Sequence, residues 1–366
     1  MKMLKFKKSK IFLFRHALLI VALIVLLVSG YYYFIKNGIR EGVETKCSDV
    51  KNGILKISNE VKTTPSYKGC RDLKKLIIPK NIETIGVGAF ADCSYLKFVI
   101  FEKGSKLKKI VGNNIEEVNI DWRGELKINS NDKGAFNSCG ELISIKLDNL
   151  NELTEIGNSA FVFCGKNKSI TIPKSVTKIG MCAFSWNFEA KSITFKKGSA
   201  LTHIGAYAFT QCGFESITIP SSVTNIDKYA FYQCDKLTSV KFQPNSKLIG
   251  IKPFTFSLCT ELTSITIPSS VTYIDDNAFG GCEALTSVTF ETQSKLTKIG
   301  KLVFQDCTDY NKADGQYDER TTYKNCDKIK TVYNLPKDEF KSRFGNNVQF
   351  LTSTVGGPSG LQNQLR

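Results

Sequence analysis

Apolar and polar positions along this chain repeat as one phrase about every 23 to 25 residues. The phrase reads I-G/D-x-x-A-F-x-x-C, then L-x-x-I-x-I/F. One copy is Ile274-Asp275, Ala278-Phe279, Cys282, Leu285, Val288 and Phe290; another is Ile204-Gly205, Ala208-Phe209, Cys212, Ile217 and Ile219. A fixed period of this length is the mark of a solenoid, in which each repeat is one supersecondary unit. Within it, Ile265-Thr266-Ile267 alternates apolar and polar at period two, which predicts a strand with one buried face.

Two turn chemistries link the units. Short units turn at Ile-Pro-x-Ser-Val, with Pro173, Pro220 and Pro268, and a near copy at Pro79. Long units use Phe-x-x-x-Ser-x-Leu, as in Phe195 to Leu201 and Phe242 to Leu248. The second turn is two residues longer, and from the fourth unit the forms alternate. Proline ends the Ile-x-Ile strand because it has no amide to donate.

A single unit cannot stand alone. Its eight apolar side chains, Leu262 to Cys282 in the clearest copy, gain less on burial than the ordering of some 23 residues costs. Stacking buries the faces above and below each unit. It also makes successive strands parallel neighbours, with each coil serving as its own crossover.

Cysteines mark the phase: Cys70, Cys93, Cys139, Cys164, Cys212, Cys234, Cys259, Cys282, Cys307 and Cys326. Two gaps are doubled. One hides a unit in which Asn187 replaces the cysteine. The other hides a unit without Ala-Phe, whose strand reads Ile115-x-x-Val118-x-Ile120. That makes about twelve units, the outermost two degenerate. A disulfide framework, a metal site and buried structural thiols all fit such a ladder. One cysteine per coil beside the Phe anchor favours buried thiols. The exchange for Asn187 argues against disulfide partners at this phase, and no C-x₂-C pair supports zinc. Cys47 and Cys182 fall off the phase and are open to either a disulfide or a free thiol.

The ends set the compartment. Residues 1–16 carry six cations and no acid, and Ala17 to Ile35 has no charge. Nineteen such residues suffice to span a bilayer, with Tyr31 to Phe34 as an interfacial belt and the basic flank held in the cytoplasm. The expectation is a retained signal-anchor; the alternative is a signal peptide cleaved near Val28-Ser29-Gly30, which makes the protein secreted. Either way the repeats are extracytoplasmic. The organisation expected is a cytoplasmic stub (1–16), a transmembrane segment (17–35), a stalk and cap (36–60), a solenoid (61–335) with a polar insertion at 308–324, and a terminal cap with a mobile tail (336–366).

These repeats resemble the BspA-like leucine-rich repeat family of bacterial surface antigens. The likeness runs over about 70–330 and is clearest in L-T-S-I-T-I-P-S-S-V-T-Y-I-D-D-N-A-F-G-G-C, Leu262 to Cys282. It implies export or surface attachment and, for several members, adhesion to host matrix or plasma proteins or to other microbes. The full fold expectation is a leucine-rich-repeat right-handed superhelix of about twelve coils. Its parallel β-strands are joined by short helical turns and preceded by one N-terminal transmembrane helix.

The formal net charge is +16, of which the first sixteen residues supply six, leaving about +10 on the exported part. That suits an anionic glycan, an envelope polymer or an acidic protein. Only seven of the fifty cations are Arg, so a Lys-rich compositional bias explains the charge equally well. Nucleic acid is not expected, since no reader motif is present. Nor is catalysis. Of two histidines, His16 lies in the basic flank, and His203 fills a slot taken elsewhere by Lys178, Asn225 and Tyr273, a pattern that suggests a solvent-facing position. No G-x-x-x-x-G-K loop occurs, and the acids Asp309, Asp314, Asp318 and Glu319 lack calcium-loop spacing. No cofactor or metal is expected.

The remaining candidate is a surface. The middle residue of I-x-I points away from the core. Down the stack this row reads Ile77, Ile100, Asn119, Lys146, Thr171, Thr194, Thr218, Lys241, Thr266 and Thr289. Thr also simply suits strands. Read functionally, Lys146, Thr171, Thr194, Thr218, Lys241, Thr266 and Thr289 form a face for a protein or glycan ligand. The alternative is a structural cell-envelope protein without a soluble ligand.

Overall fold

In the computed structural model, the described residues are 47–113, 119–120, 126–127, 133–304, 329–344 and 348–352. They belong to one compact unit. The predicted Ile-x-Ile strands form a main parallel sheet, hydrogen-bonded in successive runs of four, two and six strands from Ile54–Lys56 to Gln349–Leu351. The register places like positions side by side: Ile170 on Ile193, Ile217 on Val240, Ile265 on Val288. A second parallel row, of two-residue strands such as Lys178–Ile179, His203–Ile204 and Asn225–Ile226, follows each turn. The period-two pattern does not announce this row, since two residues carry no alternation.

The third side of each coil is the Ala-Phe turn. The expectation of helical turns is corrected here. Ala278 N bonds to Asp275 O, Gly280 N to Asn277 O and Cys282 N to Phe279 O, so these are consecutive tight turns. The 3₁₀ segments among the described residues are Cys47–Asp49 and Asp338–Arg343. A helix is excluded because alternate residues donate outward to the next coil. Phe256 N bonds Ala278 O and Leu258 N bonds Gly280 O, both at 2.8 Å.

Packing explains the recurring Phe. From Tyr67 through Phe90, Phe136, Phe161, Phe184, Phe209, Phe231, Phe256 and Phe279 to Phe304, ring lies on ring at 5.2–5.8 Å. This column counts about ten coils, not twelve. The unit expected around Ile115 to Ile120 is absent from the stack: strand Phe98–Phe101 pairs directly with Ser144–Ile145, and Phe90 N bonds Ala135 O. Between them Asn119–Ile120 pairs antiparallel with Leu126–Lys127 rather than with a strand of the stack; Ile115 and Val118 lie outside the described residues. At the other end Phe344 stacks on Phe304 at 4.9 Å.

The cysteines at the repeat phase are buried thiols, and their bond is specific. Cys234 Sγ donates to Phe209 O of the preceding coil at 3.1 Å, Cys212 to Phe184 O at 3.0 Å and Cys282 to Phe256 O at 3.2 Å. Asn187 makes the same bond through Nδ2 to Phe161 O at 2.9 Å, which is why Asn replaces Cys there. Burial pushes the thiols of Cys93, Cys164 and Cys234 up to about 12, so each keeps the proton it donates. Cys70 departs from this pattern: it is disulfide-bonded to off-phase Cys47. Cys182 is a buried free thiol in the slot before Ala183. Cys307, Cys326 and the 308–324 insertion lie outside the described residues, as does the segment 17–35. Among the described residues no helix is long and apolar enough to cross a membrane.

The two turn forms interlock. In each long turn the serine hydroxyl accepts from the following leucine amide, Ser246 Oγ from Leu248 N and Ser199 Oγ from Leu201 N. In the short turn of the next coil, the serine donates to that leucine's carbonyl: Ser270 to Leu248 O at 2.8 Å, Ser222 to Leu201 O at 2.7 Å.

Replacing Cys234 with Ala leaves Phe209 O without its inter-coil donor and opens a small void. The expected loss is about 1–3 kcal/mol in urea unfolding, with Cys234→Ser retaining a donor and losing less. Equal losses for the two variants would show that volume, not the hydrogen bond, sets the cysteine's role.

Candidate ligand face

Strand alternation aims two residues of each four-residue main-sheet strand outward. The burial along Ser192–Phe195 and Ser216–Ile219 is strictly exposed, buried, exposed, buried. Lys146, Thr194, Thr218 and Lys241 are exposed, and Thr171, Thr266 and Thr289 are half-buried. The register brings six of the seven candidates together as neighbouring pairs: Thr171 with Thr194, Thr218 with Lys241, Thr266 with Thr289. Lys146 lies one residue past the short strand Ser144–Ile145, outside the ladder. Asn119 leaves the row, because its strand pairs antiparallel with Leu126–Lys127 and not with the main sheet.

Sequence reasoning missed the companion row. The first residue of each strand triplet points outward too, so Ser169, Ser192, Ser216, Ser264 and Ser287 lie beside the threonines and Ser239 beside Lys241. Ser192 Oγ donates to Ser169 Oγ at 3.2 Å. The period-two signal that placed Thr266 also places Ser264. From the fifth to the tenth main-sheet strand, Ser169–Ile172 to Ser287–Phe290, the face is a lattice of hydroxyls broken by Lys241.

His203 is not simply solvent-facing. It is half-buried on the second strand row, in register with Lys178 and Asn225. Asn225 Nδ2 meets His203 Nδ1 at 2.8 Å, so Nε2 carries the proton and donates to Asp227 Oδ2 at 2.9 Å. Lys252 and Asn225 bond the other oxygen, Asp227 Oδ1. Burial pushes the Asp227 carboxyl up, but the donors His203, Lys252 and Asn225 outweigh it and hold the group well below the usual range. The cluster fixes four neighbouring coil positions by mutual satisfaction. Among the described residues, no group of three or more His, Cys, Asp or Glu side chains is placed to hold a metal ion.

The family model described as BspA type Leucine rich repeat region matches in six copies over residues 63–188, 154–255, 179–311 and 246–338. No curated protein matches the chain. Among solved structures, the chain is similar to a leucine-rich repeat protein from Bacteroides ovatus at 20% identity, covering 86% of this chain and 94% of that one, with a TM-score of 0.31. It is similar to the pneumococcal vaccine antigen PcpA at 19% identity, covering 82% and 85%, with a TM-score of 0.35. A leucine-rich cell surface protein from Faecalibacterium prausnitzii matches at 22% identity, covering 62% and 79%, with a TM-score of 0.27.

A carboxylate whose folded value lies below its ordinary 3.8 stabilises the fold above that pH, and the contribution is lost as acid protonates it. Asp227→Asn is therefore expected to lower stability at pH 7 and to flatten the further loss below about pH 4, read from denaturation midpoints across pH. An unchanged acid limb would mean the cluster contributes nothing to folding.

Proposed function

The chain belongs to the BspA-type leucine-rich repeat family, and from that premise we propose that it is a surface-displayed binding protein rather than an enzyme. The outer face of its main sheet engages a protein or an anionic glycan. The observation that carries this reading is the contrast between interior and exterior. Inward positions repeat almost unchanged through the stack, whereas outward positions on one continuous face run from lysine and isoleucine to serine and threonine. A stack of coils offers length and repetition, which suit extended partners.

An extracytoplasmic site agrees with this role. The Cys47–Cys70 disulfide ties the residues before the first coil to that coil, and such bonds persist in oxidising compartments. We place the anchor in the uncharged segment 17–35, the alternative being secretion after cleavage. Net charge favours anionic ligands by long-range attraction.

Charge reversal at Lys146 and Lys241 together with Thr194→Ala is expected to leave the thermal midpoint unchanged, since all three side chains point outward. It should weaken binding to captured host matrix, plasma or envelope ligands at least tenfold, measured by surface plasmon resonance on the full chain. Undiminished binding would reject this face. Absence of any ligand for the wild-type chain would favour the structural envelope role.

A further inference from the structure

The two ends of the outer sheet face differ in chemistry. Over its first strands the face mixes large apolar side chains with lysines. Ile54, Phe98, Ile100 and Ile143 are 42–44% exposed, and half-buried Ile77 pairs in register with Ile100. Phe98 sits between Lys75 and Ser144 on the neighbouring strands, and Ile143 N bonds Lys97 O. Five large apolar side chains thus share one patch of adjacent strands. A soluble fold leaves such a contiguous patch open where something covers it.

The rim of the patch is basic. Lys75 stands in register between Ile54 and Phe98, Lys74 and Lys97 precede those strands, and Lys56 is in register with Ile77. No carboxylate points outward from Lys75–Ile78, Phe98–Phe101 or Ser144–Ile145. Of the acids flanking these strands, Glu102 is engaged by Lys56 and Glu141 by Lys166, and exposed Asp72 stands at the start of its coil, two residues before Lys74. The occupant must therefore bring both apolar groups and negative charge.

That requirement separates the classes of partner. An anionic glycan answers the lysines but leaves Phe98 and Ile100 in water. A second copy of this chain, docked through the same face, sets lysine against lysine. A membrane needs side chains that protrude into the acyl layer, whereas more than half of each of these is covered by its own sheet. We propose that the first strands of the main sheet, Ile54–Lys56 to Ser144–Ile145, are the docking site for an acidic protein segment carrying apolar side chains. Ile77, Phe98 and Ile100 receive its apolar groups, and Lys74, Lys75 and Lys97 receive its carboxylates. This rests on the reading of the outer sheet face as a binding surface and assigns its N-terminal end a partner class.

The test selects a random dodecapeptide display library on the full chain and measures the selected peptides by fluorescence anisotropy. The expected peptides combine Asp or Glu with Leu, Ile or Phe. They bind at least tenfold more weakly to Phe98→Ser/Ile100→Ser and to Lys75→Glu/Lys97→Glu. Thermal midpoints of both variants stay at the wild-type value, because these side chains face outward. Peptides without acids, peptides bound equally by the variants, or a library that does not enrich overturn the proposal. So do heparin binding, phosphatidylglycerol vesicle binding or self-association that fall with Phe98→Ser/Ile100→Ser in place of peptide binding. A Thr194→Ala/Lys241→Glu variant that keeps these peptides but loses other ligands localises the site. If only that variant loses ligands, the broader face stands and this assignment fails.

Discussion

Phe256 donates its amide to Ala278 in the next coil, stacks its ring on Phe279 and takes the Cys282 thiol on its carbonyl. Each of these bonds crosses from one coil to the next. A residue with 0% exposure therefore has its ring, its donor and one of its acceptor sites satisfied only by a neighbour. Unpartnered buried amides and carbonyls are costly, so an isolated coil, though it closes its own turns, leaves these outward groups unsatisfied. The repetition of Ala-Phe-x-x-Cys is the chemical record of that constraint. Alanine leaves room for the next ring, phenylalanine fills the column, and cysteine is small enough to sit beside it while still donating.

This constraint fixes the inside and frees the outside. A substitution at Phe231 reaches three coils at once, through Phe209, Phe256 and the thiols between them. A substitution at Thr218, exposed on the outer face, meets Lys241 in register and solvent, and no part of the interior. The outer face can then change chemistry along its length without frustrating the stack, from Ile and Lys at the first strands to Ser and Thr further on. Nearest-neighbour coupling makes such a gradient tolerable in a solenoid.

The period, the Phe column and the buried thiols were legible in the sequence because each recurs at equal spacing. What was not legible depended on contacts that spacing does not encode. Ile115, Val118 and Ile120 carry strand-like spacing that suits a hairpin as well as a coil, and only the direct pairing of Phe98 with Ser144 decides between them. Cys70 stands at the phase of the thiols, but its partner Cys47 lies outside the repeat, so periodicity could not join them. His203 looked unengaged because its partners Asn225 and Asp227 are more than twenty residues away; they are neighbours only once coils stack. The usable signal was Asp227 itself, an acid standing where Gly205 stands one coil earlier and facing the same column as His203. The serine row was readable and went unread, being the other half of the alternation that placed the threonines.

Alternation of the two turn forms follows from the same physics. A long turn caps its leucine amide with its own serine but leaves the leucine carbonyl facing the next coil. Only the short turn presents a serine there: Ser270 for Leu248, Ser222 for Leu201. Two long turns in succession would set a Phe-x-x-x-Ser loop, two residues longer and already committed to its own amide, against a buried carbonyl. The turn before Pro173, Leu147 to Leu153, has the long form's seven-residue length without its serine, and Ser175 of the short turn that follows reaches both Leu150 O and Leu153 O. From Pro173 onward the order of turn types is thus a hydrogen-bond pattern passed from coil to coil, and the two turn lengths set the alternating unit lengths of this part of the chain.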